Sequence, residues 1–368
     1  MHIARLWKRL RVPASVRDSY SHLQHGLIRK ASPIHQCVRH ISIDACRWNP
    51  EDRRGQIDLP TPIDPEVQYV NVQTKNLGVT SVDYIKASYT DENPTGSAIA
   101  IAVHGSPGSH YDFRYMAPLL SEAGVRVIRI NLPGFGPTIK PPDFIYSPVN
   151  KANFMAELLE SIGIKKVDIA IGHSMGCGAI TSFPSTHPGF VSSYALLASC
   201  GTRPHRSLRP FPIIKLFANM VNLPVIDKPS GALLRLVYSK FLGFKLDKLV
   251  KNEIENSQRL CGAMDFDFNA KNLKLLGDQK TPVILGFGLN DHMVEHAIFD
   301  EMSSVLGLRT LSEMLALTND QGNENPHLAY DVATGKSRQL VFRSSGHYIQ
   351  KFHARHIAKA ILHLLHDL

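Results

Sequence analysis

From position 66 onward, short apolar runs recur along this chain, separated by turns or by stretches long enough to hold a helix. Residues 98–103, 125–130, 167–171, 193–198 and 283–287 are such runs. Their length, and the lack of strict polar alternation, predict strands buried on both faces. Residues 116–123, 151–162 and 176–185 read as helices between them. A further strand at 339–342 precedes a closing helix at 354–365. Strands separated by helices predict an α/β fold, with a mostly parallel central sheet flanked by helices on both faces. Residues 67–72 and 83–89 lie close together and predict an opening antiparallel pair.

Two stretches break this rhythm. Residues 203–277 carry helical pattern without a convincing strand, as an inserted helical cap would. Residues 303–336 form a second insertion around the turn-rich run Asn319-Asp320-Gln321-Gly322-Asn323-Glu324-Asn325-Pro326. The domain organisation expected is therefore a leader over 1–45, and a globular domain over 60–368 with a cap at 203–277.

Apolar residues make up 43% of the chain, enough for a sizeable core. The formal charge of +9 is concentrated in the leader: residues 1–41 hold eight Lys and Arg against the single acid Asp18. The remainder carries only +2, so the basic balance gives no reason to expect nucleic acid as a partner of the globular part. A basic, Ser- and His-containing, acid-poor leader resembles a mitochondrial presequence, with a basic tail as the alternative. Ile3, Leu6, Trp7 and Leu10 recur at helical spacing among its cations, and Arg39-His40-Ile41-Ser42 resembles a matrix-protease cleavage pattern. Five scattered cysteines form neither a disulfide framework nor a zinc-spaced cluster, so no metal or other cofactor is expected. No apolar run approaches the roughly 18–20 residues that a transmembrane helix needs.

The sharpest motif is Gly172-His173-Ser174-Met175-Gly176, a G-x-S-x-G between a predicted strand and a predicted helix. Such a turn is tight and needs small flanking residues, which Gly172 and Gly176 supply. It lifts the Ser174 hydroxyl above the sheet edge as a candidate nucleophile. A second motif, His104-Gly105-Ser106-Pro107-Gly108, follows the run 98–103. A candidate base, His347, comes after the last strand in Gly346-His347. A candidate acid, Asp291, follows 283–287 in Gly288-Leu289-Asn290-Asp291, with Glu295 as the fallback. His353 and His356, on or beside the closing helix, are expected to be solvated.

On these motifs the chain resembles the α/β-hydrolase superfamily, serine-nucleophile and helical-cap type. The order Ser174, Asp291, His347 matches that family, as does the turn Asn131-Leu132-Pro133-Gly134-Phe135-Gly136. The resemblance implies a catalytic triad of Ser174, Asp291 and His347 on a nucleophile elbow flanked by Gly172 and Gly176. It also implies an oxyanion hole built from the backbone N–H groups of Ser106 and Met175, with His104 as a loop-shaping residue. Serine at 174 argues against the epoxide hydrolases and haloalkane dehalogenases of the same fold, which use a carboxylate there.

The function expected is serine hydrolysis of a carboxylic ester or thioester through an acyl-enzyme, on a small-molecule, acyl or lipid-like substrate. Carbon–carbon bond hydrolysis is the enzymatic alternative, and a non-catalytic ligand-binding protein of the same fold is the other. The cap segment 203–277 holds thirteen Lys and Arg against six Asp and Glu. This excess, beside many apolar residues, points to an anionic, partly apolar substrate or to peripheral contact with an anionic membrane. The competing reading has the apolar residues packed on the core and the lysines solvated.

Overall fold

The computed structural model describes residues 63–223, 227–240, 252–318 and 328–368. All eight predicted strands form: β1 (Gln68–Gln73), β2 (Tyr84–Glu92), β3 (Ala98–Val103), β4 (Val125–Ile130), β5 (Val167–His173), β6 (Val191–Leu197), β7 (Val283–Gly288) and, last in the chain, β9 (Ser337–Phe342). Within the region read as a second insertion the structure adds a ninth, β8 (Leu328–Thr334). It runs antiparallel to β9 as a hairpin through Thr334–Ser337. The sequence reading assigns no strand to this stretch. The turn-rich run 319–326 lies outside the described residues. The described strands form one sheet in the order β1-β2-β4-β3-β5-β6-β7-β9-β8, parallel from β4 through β9 and antiparallel at both margins.

The helices are α1 (Ala117–Glu122), α2 (Pro148–Ser161), α3 (Met175–Ile180), α4 (Phe183–Thr186), α5 (Phe211–Met220), α6 (Asp227–Lys240), α7 (Glu253–Gly262), α8 (Phe266–Asp278), α9 (His296–Val305), α10 (Leu311–Thr318), α11 (Ile349–Phe352) and α12 (Ala354–His366). The helix predicted over 176–185 is two short ones. Thr181 and Ser182 turn their hydroxyls back onto the carbonyls of Cys177 and Gly178, and Pro184, which lacks an N–H, starts the second.

Each central strand is apolar on both sides because the sheet is covered on both sides. Along β3, Ala100 and Ala102 face one layer with Leu120 of α1 and Ile357, Ile361 and Leu364 of α12. Ile101 and Val103 face the other, with Phe154 and Leu158 of α2, Leu273 and Leu276 of α8 and Ile298 of α9. This is the period-two alternation of a strand, filled by two helical layers. Helix α2 starts where the sequence provides a cap: Ser147 Oγ accepts from Asn150 N–H at 3.1 Å, and Pro148 follows.

Within the span 203–277, Leu273 and Leu276 of α8 and Leu260 and Cys261 of α7 are buried in the main core, while Val221, Leu234, Tyr238 and Ile254 form a separate small cluster. Helices α5, α6 and α7 make the described part of the cap, and residues 241–251 lie outside the described residues, as do the leader and Cys37 and Cys46. Cys177, Cys200 and Cys261 are buried free thiols. No described helix is long and apolar enough to cross a membrane.

Phe154 has no exposed surface. Phe154→Ala should therefore lower the unfolding free energy by about 3–5 kcal/mol. Urea denaturation at pH 7 would show this as a lower midpoint with an unchanged slope.

Candidate active site

The strand register brings the chemistry together. Val103 of β3 pairs with Gly172 of β5, His173 with Leu197 of β6, Leu197 with Gly286 of β7, and Gly288 with Phe342 of β9. Five parallel strands thus end level with one another. The residues that follow β3, β5, β7 and β9 are Ser106, Ser174, Asp291 and His347, so all four leave the same sheet edge. Loops at the carboxyl ends of parallel strands are where α/β sheets bind ligands.

Ser174 sits in the turn between β5 and α3 with φ 52° and ψ −117°, a region that a residue with a Cβ rarely enters. Its neighbours explain how the turn is held. A Cβ on Gly176 would collide with the carbonyl oxygens of Val103 and His104, and one on Gly172 would lie 2.7 Å from Cys177 Cα. Both glycines are therefore required by close backbone approach. Ser174 N–H donates to Leu197 O at 2.9 Å, and Ser174 O accepts from the N–H groups of Cys177 and Cys200. These bonds offset the strain of such a conformation, which costs on the order of 1–3 kcal/mol.

From Ser174 Oγ a chain of short hydrogen bonds runs inward: 2.8 Å to His347 Nε2, then 2.7 Å from His347 Nδ1 to Asp291 Oδ2. Ionised Asp291 can only accept, so Nδ1 carries the proton and Nε2 is left to accept from the serine hydroxyl. The other Asp291 oxygen accepts from Met293 N–H at 2.8 Å and Val294 N–H at 3.0 Å. Burial alone would raise the Asp291 pKa. The His347 imidazole and those two N–H groups outweigh it and hold the carboxyl below its ordinary value. Glu295, the fallback acid, is engaged elsewhere, accepting from Arg203 and from Arg206 N–H. Gly346 is not forced by space, since a Cβ there would sit 3.6 Å from Asn290 O.

The loop after β3 lies against the nucleophile. A Cβ on Gly105 would be 3.3 Å from Ser174 Cβ and 2.8 Å from His173 Nδ1. Gly105 N–H donates to Asp112 Oδ2 at 3.1 Å and is thereby engaged within the loop. Neither Ser106 N–H nor Met175 N–H meets a backbone acceptor among the described residues. His104 shapes this loop. Its Nε2 accepts from Leu132 N–H at 3.2 Å, so Nδ1–H donates to Gly105 O at 2.6 Å. Burial lowers its pKa and keeps the ring neutral. The Pro-Gly-x-Gly turn packs as its glycines demand: Gly134 and Gly136 have φ 83° and 50° and lie against Asn256 and Asn131.

Three polar residues of the site were not singled out in the sequence. His173 Nε2–H donates to His347 O at 3.1 Å, and its Nδ1 faces Asp112 Oδ2 at 3.6 Å, too long for a hydrogen bond. Asp112 and His173 therefore link the β3 loop, the turn at Ser174 and the loop bearing His347. Burial would raise the Asp112 pKa, but His173 and Gly105 N–H hold it below its ordinary value. His205, at the entry to the cap, donates through Nδ1–H to Met293 O at 3.0 Å. Among 18 histidines none of these pairings has a spacing signal. His353 and His356 also differ from expectation: both are half-buried rather than solvated, and His353 stacks on Phe342 at 4.1 Å.

Comparison with known proteins is decisive at the level of family. Residues 65–366 match a family model described as an alpha/beta hydrolase of unknown function (DUF1057). The chain belongs to the α/β hydrolases. An uncharacterised protein of Caenorhabditis elegans is 21% identical to this hydrolase over 313 residues, covering 80% of this chain and 86% of the relative. Among solved structures, haloalkane dehalogenase DbeA from Bradyrhizobium elkani superposes with TM-score 0.57 at 16% identity, covering 83% of this chain and 98% of that one. Esterase EaEST from Exiguobacterium antarcticum gives TM-score 0.55 at 16% identity, with 81% and 100% covered. At these identities the likeness is one of fold.

His205 offers a pH test of the site's burial. Burial first, then the charge of His347, lowers its pKa from 6.5 to about 4. Its stabilising share is complete above the unfolded value near 6.5 and is lost as the pH falls through 4, because the unfolded chain takes the proton first. Wild type should lose on the order of 3 kcal/mol more than His205→Gln between pH 7 and pH 4. Urea titrations of both proteins at the two pH values would reveal the difference as a steeper acid limb for wild type.

Proposed function

We propose that this α/β hydrolase is a serine hydrolase that cleaves a carboxylic ester or thioester through an acyl-enzyme on Ser174. The observation that carries the reading is the Ser174–His347–Asp291 hydrogen-bond chain, at 2.8 and 2.7 Å. In the proposed reaction, Ser174 Oγ attacks the substrate carbonyl carbon while His347 Nε2 takes the hydroxyl proton. Asp291 fixes the imidazole tautomer and stabilises the imidazolium. The oxyanion is received by the N–H groups of Ser106 and Met175, each donor being worth roughly 10²–10³ in rate. Collapse of the tetrahedral intermediate breaks the carbonyl carbon–oxygen or carbon–sulfur bond, and His347 returns its proton to the leaving alcohol or thiol. Water then repeats the sequence on the acyl-enzyme, with His347 again as base, and releases the carboxylic acid.

The serine supports this reading over chemistry that needs a carboxylate at position 174. Intact-mass analysis after fluorophosphonate treatment should show one adduct on wild type and none on Ser174→Ala. Labelling of both proteins alike would overturn the assignment and leave a ligand-binding role for the fold. Asp291→Asn should slow ester turnover by about 10⁴, through the wrong imidazole tautomer, and adding Asp291→Asn to Ser174→Ala should cost little more than Ser174→Ala alone.

We also propose that the basic stretch 1–45 directs the chain to mitochondria. The support is its charge of +7 over residues 1–41. N-terminal sequencing of the endogenous protein should find a start near Ile41 in a mitochondrial fraction. A start at Met1 in the cytosol would refute it.

A further inference from the structure

The cap helices are apolar on two faces. Helix α7 is the inner helix: Ile254, Asn256, Leu260 and Cys261 are all buried. Helix α5 packs on it so closely that a Cβ on Gly262 would collide with that of Ala218. The inward residues of the outer pair are Phe217, Ala218 and Val221 at α5, and Leu234 and Tyr238 on α6. On a helix with one buried face the opposite face is normally polar. Here it is not. Ile213 and Leu216 on α5, and Leu223 in the turn after it, are 41%, 56% and 52% exposed. On α6, Leu233 and Leu236 are 45% and 51% exposed. The reading in which the segment's apolar residues pack on the core does not hold for these five.

The charge of the same surface selects what can cover it. Between 205 and 240 the chain has Arg206, Arg209, Lys215, Lys228, Arg235 and Lys240 against the single acid Asp227. Among the described ion pairs, Arg209 is tied to Glu295 and Arg235 to Glu255. A second copy of this cap would bring like charge against like, and so would the basic leader of the chain itself. Exposed aliphatic side chains in a segment this rich in cations match a bilayer with anionic headgroups, where the leucines enter the acyl boundary and the cations meet phosphate and carboxylate.

We propose that the outer faces of α5 and α6 dock this protein on an anionic lipid surface. Docking does not depend on the reaction proposed above, since none of these residues belongs to the site around Ser174.

The experiment uses the full chain with vesicles of phosphatidylcholine alone, or with 30% phosphatidylserine in about 0.1 M salt. Because the leader is also basic, the readout must be local to the cap. Leu216→Trp is compared with Tyr84→Trp, which is equally exposed but lies on β2, far along the sheet order from the cap-bearing strands. On phosphatidylserine vesicles containing brominated acyl chains, the added indole at 216 should be quenched at least twofold more than that at 84. Leu233→Asp/Leu236→Asp should bind the same vesicles at least tenfold more weakly than wild type. Fluorophosphonate labelling of Ser174 and the thermal midpoint should stay unchanged in that variant, showing that the fold is intact. Equal quenching at 216 and 84 would overturn the proposal, leaving the face to an acidic protein partner. Undiminished vesicle binding by the double variant would overturn it too, assigning the attraction to the leader. If Ser174 fails to label in wild type, the reaction proposed above falls while the docking result stands or falls by the quenching alone.

Discussion

The site rests on a contact between two backbones. Helix α3 passes so close to the end of β3 that residue 176 has no room for a Cβ against the carbonyls of Val103 and His104. That approach fixes the turn at Ser174 relative to the loop at 105–106, and so fixes the hydroxyl relative to the backbone donors. The left-handed conformation of Ser174 follows from the same closeness. The chain must reverse within one residue to place α3 over the sheet, and the bonds at Ser174 N–H and O hold it there.

Around that crossing, electrostatics orders the rest. Two acids flank the site, Asp291 buried and Asp112 half-buried, each spending its oxygens on defined donors. Asp291 takes His347 and two backbone N–H groups; Asp112 takes Gly105 N–H and faces His173. A buried carboxylate is tolerated only when it is well partnered, and each of these partners belongs to a loop that must be held still. The negative charges therefore act as clamps on three loops leaving β3, β5 and β9.

Much of this was legible in the sequence because it depends on local rules. Strand, glycine, serine, glycine and helix in that order define a turn type, and the order Ser174, Asp291, His347 follows from which parallel strand each residue ends. What was not legible depends on who meets whom across the fold. Strand β8 alternates between buried and exposed residues and follows a long turn-rich run, so it lacks the continuous apolar signal of the central strands. Helices α3 and α4 carry one continuous apolar pattern, and only hydroxyl-to-carbonyl bonds and Pro184 divide it. His205, His173 and Asp112 matter through partners at distant positions, which no spacing announces. In the cap, composition showed cations and apolar residues, but only the position of α7 separates the leucines that face inward from those that face out.

The inner cap helix is tied on both flanks. Asn256 donates to Gly134 O of the core, while Gln258 and Arg259 donate to Ile214 O and Val221 O around α5. Helices α5 and α7 are thus tied to each other, and α7 is tied to the turn at Gly134, next to Phe135, whose ring lies against that of His104. The cap segment is therefore anchored, through Asn256, to a turn that packs on the loop after β3, so the outer helices and the Ser174 end of the sheet share one set of contacts.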